Sequence, residues 1–244
     1  MIHAIAMFFL ITTGLQAQST PVIKYELSEW LVPLREAIYE QQLSADEIRL
    51  LYVNARTAAQ RHYNGIILDL TLSHCEYFMG RALQEEDRND EARSHYNKGM
   101  ELAEKALEAE PSPQAWVLRA QHLSQLCSIN SITFTMSNGL NIERYARNAL
   151  DLDSRNAAAQ YLIAARWVYA PSPLGNIRRG IQMMMDIIDN GDMEKDDLFN
   201  VYFSIGYGYV QQRRYDDAQP WIIKSLGIYP TNKLAVQLLE RRGR

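Results

Sequence analysis

Side-chain catalysis needs partners at a workable spacing, and this sequence offers few. Four histidines follow the N-terminal region: His62, His74, His95 and His122. None falls beside a Cys or carboxylate at the spacing of a two-ligand zinc pattern. His74 and Cys75 are adjacent, but neighbours on a helix point about 100° apart, so the pair reads as a buried imidazole beside a buried thiol. The acid pairs Asp151/Asp153, Asp189/Asp192 and Asp196/Asp197 stand near expected turns, where carboxylates complement a helix start or solvate a surface. No G-x-S-x-G elbow, phosphate-binding glycine loop or dinucleotide fingerprint occurs. Gly206-Tyr207-Gly208 lies inside an apolar helical pattern, where its glycines serve packing. The sequence therefore predicts no catalytic residue, no metal and no cofactor, and points to binding.

Charge narrows the partners. The 25 Lys and Arg against 29 Asp and Glu leave a formal charge of -4, which gives no basic footprint for nucleic acid. With 47% hydrophobic residues the chain can bury a large core. Outside its start it has no apolar run near the ~20 residues of a membrane span.

The first 17 residues are different. They contain no Asp, Glu, Lys or Arg, and an apolar stretch from Ala4 to Ile11 precedes Leu15-Gln16-Ala17. This is the pattern of a signal peptide with small residues at its cleavage site, although its n-region carries only the amino terminus and His3. The competing reading is an ordinary N-terminal helix on a cytosolic scaffold. Export to the bacterial envelope, periplasmic or secreted, is the expectation, and no Cys near the cleavage site offers a lipid anchor.

What would position a binding surface is a set of helical hairpins. The clearest unit carries Tyr202, Ile205, Gly206 and Tyr209, then Tyr215, Ala218, Ile222, Leu226 and Pro230. Its apolar residues recur at three and four, its small residues stand where two helices must approach, and Pro230 ends the second helix. Lys233 to Glu240 should add a closing helix. Further pairs follow upstream. Residues 156–167 are expected to pair with 177–189 across the loop 171–176. Residues 114–126 should pair with 142–152 across a polar insertion at 128–141, read as a loop. Residues 66–84 should pair with 90–108. Ahead of these lie 25–41 and 44–62, the second opened by the capping box Ser44-Ala45-Asp46-Glu47. Cys75 is expected near the start of one helix and Cys127 near the end of another. About 12 helical steps of ~1.5 Å would separate them, too far for a disulfide.

The spacing from Tyr202 to Pro230, with large, small, Tyr, Ala and Pro in register, resembles the 34-residue tetratricopeptide repeat (TPR). That resemblance implies an all-α solenoid of antiparallel hairpins over a repeat domain at 66–244. With the leader pattern, a signal peptide, at 1–17, residues 18–65, whose helices share the hairpin form but not the repeat residues, are expected to form a helical cap. It also implies a concave face lined by the first helix of each hairpin, where a protein, a peptide or a small ligand would sit. The residues expected to look out from that face are Asn200, Phe203, Ser204, Tyr207 and Gln211, then Tyr161 and Arg166, and Arg119 upstream. Aromatic residues interleaved with Asn, Gln and Arg suit such recognition. A narrower likeness rests on the segment from Ala164 to Asn176, with its Pro171-Ser172-Pro173-Leu174-Gly175-Asn176 loop. It is similar to the TPR-like accessory component of tripartite (TRAP-type) transporters, which implies a periplasmic solute-binding protein as partner and a small hydrophobic ligand. The Gly-Gly usual there is Gly175-Asn176 in this sequence, and the lipoprotein Cys is missing.

Overall fold

The computed structural model describes residues 27–170, 173–191 and 193–241. The proposed leader at 1–17, Pro171, Ser172 and Asp192 therefore lie outside the described residues. A 3-10 turn, Glu29–Leu31, leads into eleven α-helices. These are α1 Val32–Glu40, α2 Ala45–His62, α3 Gly65–Glu85, α4 Asn89–Ala109, α5 Pro113–Ile129 and α6 Ile132–Leu152. The second half adds α7 Ala157–Tyr169, α8 Ile177–Asn190, α9 Lys195–Gln211, α10 Tyr215–Ile228 and α11 Lys233–Glu240. The fold is all-α, and consecutive helices pack as antiparallel pairs in the manner of TPR hairpins.

Local chemistry sets the boundaries. At the start of α2, Ser44 Oγ accepts the Glu47 N–H at 3.3 Å while the Glu47 carboxylate accepts the Ser44 N–H at 2.8 Å. Asp46 and Glu47 in its first turn and Arg61 and His62 in its last complement the helix dipole. Small residues then let paired helices close. A Cβ at Gly80 would come within 2.5 Å of the Tyr96 ring, and one at Gly206 within 2.6 Å of Ile222. Gly175 answers a different need, because a Cβ there would meet the Ala170 carbonyl oxygen at 2.0 Å as the chain leaves α7.

Three expectations need correction. The polar insertion at 128–141 is not a loop, because α6 begins at Ile132 and runs through it. Its hydroxyl and amide side chains bond to nearby backbone instead of breaking the helix. Ser131 Oγ caps Phe134 N–H at 3.3 Å, Thr135 Oγ1 donates to Cys127 O at 2.8 Å, and Asn138 Nδ2 donates to Phe134 O at 3.0 Å. The helical period was present, but its apolar residues Ile132, Met136 and Leu140 face outward, 66–75% exposed. Second, α1 starts only at Val32, after the 3-10 turn, with Pro33 in its first turn. Third, Cys75 sits in the middle of α3 and not near its start, whereas Cys127 does fall near the end of α5 and both are free thiols, as expected.

The array also closes on itself. Along the inner side, α3 packs on α5, α5 on α7 and α7 on α9. Helix α1 packs on α3 and reaches α9 through side chains, with Asn200 bonded to Tyr39 and Asp196 facing Arg35. Tyr39, Phe199 and Tyr229 share one buried cluster with Leu83 and Tyr96.

Candidate functional site

Helix α9 brings four of the expected residues onto one side, because Asn200, Phe203, Ser204 and Tyr207 recur at three and four. Phe203 stacks between Phe199 (5.9 Å between ring centroids) and Tyr207 (6.5 Å). Tyr207 meets Tyr169 of α7 at 5.0 Å, and Phe199 meets Tyr39 of α1 edge-on at 5.4 Å. A continuous aromatic belt thus runs from Tyr39 to Tyr169 across three helices. Its polar points are equally local. Tyr169 and Tyr161 hydroxyls lie 2.7 and 3.3 Å from Ser204 Oγ, and Asn200 Nδ2 donates to the Tyr39 hydroxyl at 2.9 Å. Burial raises the phenol of Tyr39 above its ordinary value. One cation stands beside it, Arg81 of α3, whose guanidinium lies 5.6 Å from the Tyr39 ring centre and 3.6 Å from Glu85.

Of the eight residues expected to look out from the concave face, Tyr161, Asn200, Phe203, Ser204 and Tyr207 come together here. Gln211 is exposed at the C-terminal end of the same helix. Arg119 and Arg166 are drawn elsewhere. Arg119 pairs with Glu104 of α4 at 2.5 Å and lies 4.4 Å from the Tyr145 ring centre of α6. Arg166 pairs with Glu143 of α6 at 2.5 Å. Both guanidiniums brace the outer helices against the inner ones.

Tyr39, Tyr169 and Arg81 were not singled out from the sequence. Tyr169 had a signal, since it follows Tyr161 by eight residues and so shares its face. Tyr39 and Arg81 had none, because their places depend on chain closure.

The titratable groups away from the belt are structural. Glu76, fully buried, accepts from Tyr52 at 2.9 Å, lies 2.6 Å from His95 Nδ1 and pairs with Arg56 and Lys98. Burial opposes its charge, but the His95 hydrogen bond and the cations outweigh that and hold its carboxyl below the usual range. Burial pushes the Cys75 thiol up to about 12, so it is not a nucleophile at neutral pH. Among the described residues no group of three His, Cys, Asp or Glu could hold a metal, and no helix is long and apolar enough to cross a membrane. Asp196 and Asp197 open α9, where Asp197 accepts the Glu194 N–H at 3.2 Å and Asp196 faces Arg35 at 3.4 Å. Tyr169 is exposed and Asn200, Phe203 and Tyr207 are half-buried, whereas Tyr39, Phe199 and Ser204 are buried behind them. The accessible part of the belt therefore offers three aromatic rings and an amide, a chemistry suited to holding a ligand.

The chain is similar to two solved structures. One is YrrB, described as a TPR protein with an unusual peptide-binding site: 13% identity over 88% of this chain and 92% of that one, with a TM-score of 0.42. The other is the Cut9–Hcn1 hetero-tetramer of the APC/C: 11% identity over 90% of this chain and 50% of that one, with a TM-score of 0.41, so this chain spans about half its length. A search of curated proteins gave no significant match. The expected likeness to a TRAP-type transporter component gains no support from these comparisons. A family profile described as Regulator of microtubule dynamics protein 1-3 matches residues 36–186, more than half of the chain and all of α2 to α7. With its TPR-like hairpins, the chain belongs to that family.

Proposed function

We propose that this chain is a non-catalytic scaffold that holds an extended peptide segment of a partner protein along the aromatic belt of its inner face. The observation that carries this reading is the row of partly open rings Phe203, Tyr207 and Tyr169, in contact with one another and backed by the buried Phe199 and Tyr39, with the Asn200 amide and the Tyr169 hydroxyl beside it. Stacked aromatic faces bind side chains, and neutral hydroxyls and an amide pair with backbone N–H and C=O groups. The match to a family described as regulators of microtubule dynamics supports a protein partner for this chain. We further propose that residues 1–17 are a leader and that the chain acts outside the cytoplasm.

Crosslinking pull-down from the native cell, with Phe203→Ala/Tyr207→Ala as control, tests the first proposal. A partner captured by the wild type and lost by the variant supports the belt. A partner retained by a folded variant removes it. Mass spectrometry of the mature chain tests the second: a terminus at Gln18 supports export, and an intact Met1 ends that reading.

A further inference from the structure

The two ends of the helix array meet at a joint made of small, separable contacts. Thr231 Oγ1 donates to the Glu40 carbonyl at 2.7 Å, Asn232 Nδ2 to the Tyr39 carbonyl at 2.8 Å, and the Lys233 N–H to Gln41 Oε1 at 2.7 Å. Beside them Arg35 faces Asp196 at 3.4 Å, Lys195 pairs with Glu36, and the Tyr39 and Tyr229 rings stack at 4.8 Å. These contacts bridge about 160 to 190 residues of sequence, so nothing local enforces them.

We propose that this joint is a clasp: α1 opens as a unit from α9 and the α10–α11 turn, and its opening admits ligand to the aromatic belt. The belt and the clasp share Tyr39, whose hydroxyl and ring face α9 while its carbonyl accepts from Asn232. An occupant that displaces the Asn200 contact therefore acts on the clasp directly.

Three features make the clasp the weak point of the closed array. Helix α1 has nine residues, too few to be stable alone, and buries only Leu34, Ile38 and Tyr39, whereas α3 buries fourteen of its 21. Closure also leaves polar atoms unserved: Arg35 Nε and the hydroxyl of the fully buried Tyr229 find no hydrogen-bond partner among the described residues. Opening would hydrate both, which offsets part of the lost aromatic packing. Finally, Gln41 holds a left-handed backbone, φ 54°, at the junction of α1 with the turn before α2, a strained hinge for a residue with a side chain. The purpose assigned to the clasp rests on the peptide-holding reading above, but the opening itself can be observed without any ligand.

The test is a Glu40→Cys/Thr231→Cys variant of the full chain, with Cys127→Ser to leave only the buried Cys75 thiol, compared oxidised and reduced by hydrogen exchange and mass spectrometry. In the reduced protein the amides of α1 and α11 should exchange at least tenfold faster than those of α3. Oxidation should slow α1 at least tenfold, with the α9 amides slowed alongside. The proposal is overturned if α1 exchanges no faster than α3, if oxidation leaves α1 unchanged, if α9 does not follow, or if the disulfide does not form in the folded chain. Should that pair prevent folding, Glu36→Cys/Lys195→Cys bridges the same joint from its other side and is read in the same way. A failed pull-down with a normal exchange result removes the peptide reading and leaves the clasp standing.

Discussion

Asn200 donates its side-chain N–H to the hydroxyl of Tyr39 at 2.9 Å, joining α9 to α1 across 161 residues of sequence. Tyr39 also stacks on Tyr229 and meets Phe199 edge-on, so its ring and its hydroxyl do separable work. Tyr39→Phe keeps the ring and should cost about 1 kcal/mol, the net worth of one hydrogen bond. Tyr39→Ala removes the ring from a fully packed seam and should cost about 3–5 kcal/mol. Urea unfolding of both variants measures the gap. Equal losses would mean that the hydroxyl, and not the packing, holds α1 in place.

Glu76 ties three helices together, with Tyr52 and Arg56 from α2 and His95 and Lys98 from α4 around one fully buried carboxylate. Glu76→Gln should destabilise the fold by about 3 kcal/mol, because it strands partly buried cations without their anion. Pairing it with Arg56→Met in a double-mutant cycle should recover part of that loss, since the stranded charge then disappears. Strict additivity in thermal or urea unfolding would refute the coupling.

The pH dependence of stability follows from two buried histidines. Burial drives His74 and His122 down to about 3, against an ordinary value of 6.5. At His122 the ring nitrogen Nε2, 3.2 Å from the Ser73 carbonyl, opposes this shift, but burial outweighs it. Between pH 6.5 and about 3 the unfolded chain therefore binds protons that the folded chain refuses, and stability falls as pH falls. Each histidine contributes a slope of up to about 1.4 kcal/mol per pH unit in that window. Glu76, with its depressed carboxyl, adds to the loss only at the acid end, as pH passes below its unfolded value of 4.5. His122→Asn should flatten the profile of urea midpoint against pH between about 6 and 4. An unchanged slope in that variant would show that His122 is not the group taking up the proton.

The hairpins were legible because their signals are local. Periodicity, the Ser44 capping box and small residues at close approaches fix helices from a few neighbouring residues, and α11 falls at the expected Lys233–Glu240. On α9 the same logic placed Asn200, Phe203 and Tyr207 on one face. For Arg119 and Arg166 helical position is the same kind of information, but the carboxylates that pair with them, Glu104 and Glu143, belong to other helices and were not legible from it. That logic was wrong at 128–141, where serine, threonine and asparagine resemble a loop until their bonds to the backbone of α5 and of the preceding turn are visible. Closure through Tyr39 was invisible for a plainer reason, since no spacing rule links residues 161 positions apart.

The corrected helix can be tested with two glycines whose substitutions should have opposite signs. Gly139 lies inside α6, and a Cβ added there would have nothing within 4 Å, so Gly139→Ala should stabilise the protein by about 0.5–1 kcal/mol by restricting the unfolded chain. Were 128–141 a loop, the same change would have no helical conformation to favour and little effect. Gly99 in α4 is the contrast. A Cβ there would fall 2.0 Å from the His122 ring, which is fully buried and cannot move aside, so Gly99→Ala should cost at least about 1–3 kcal/mol despite the better helix former. Urea midpoints measured side by side decide both. A destabilising Gly139→Ala would return the segment to a non-helical state, and a neutral Gly99→Ala would mean that α4 and α5 do not approach as closely as the His122 contact requires.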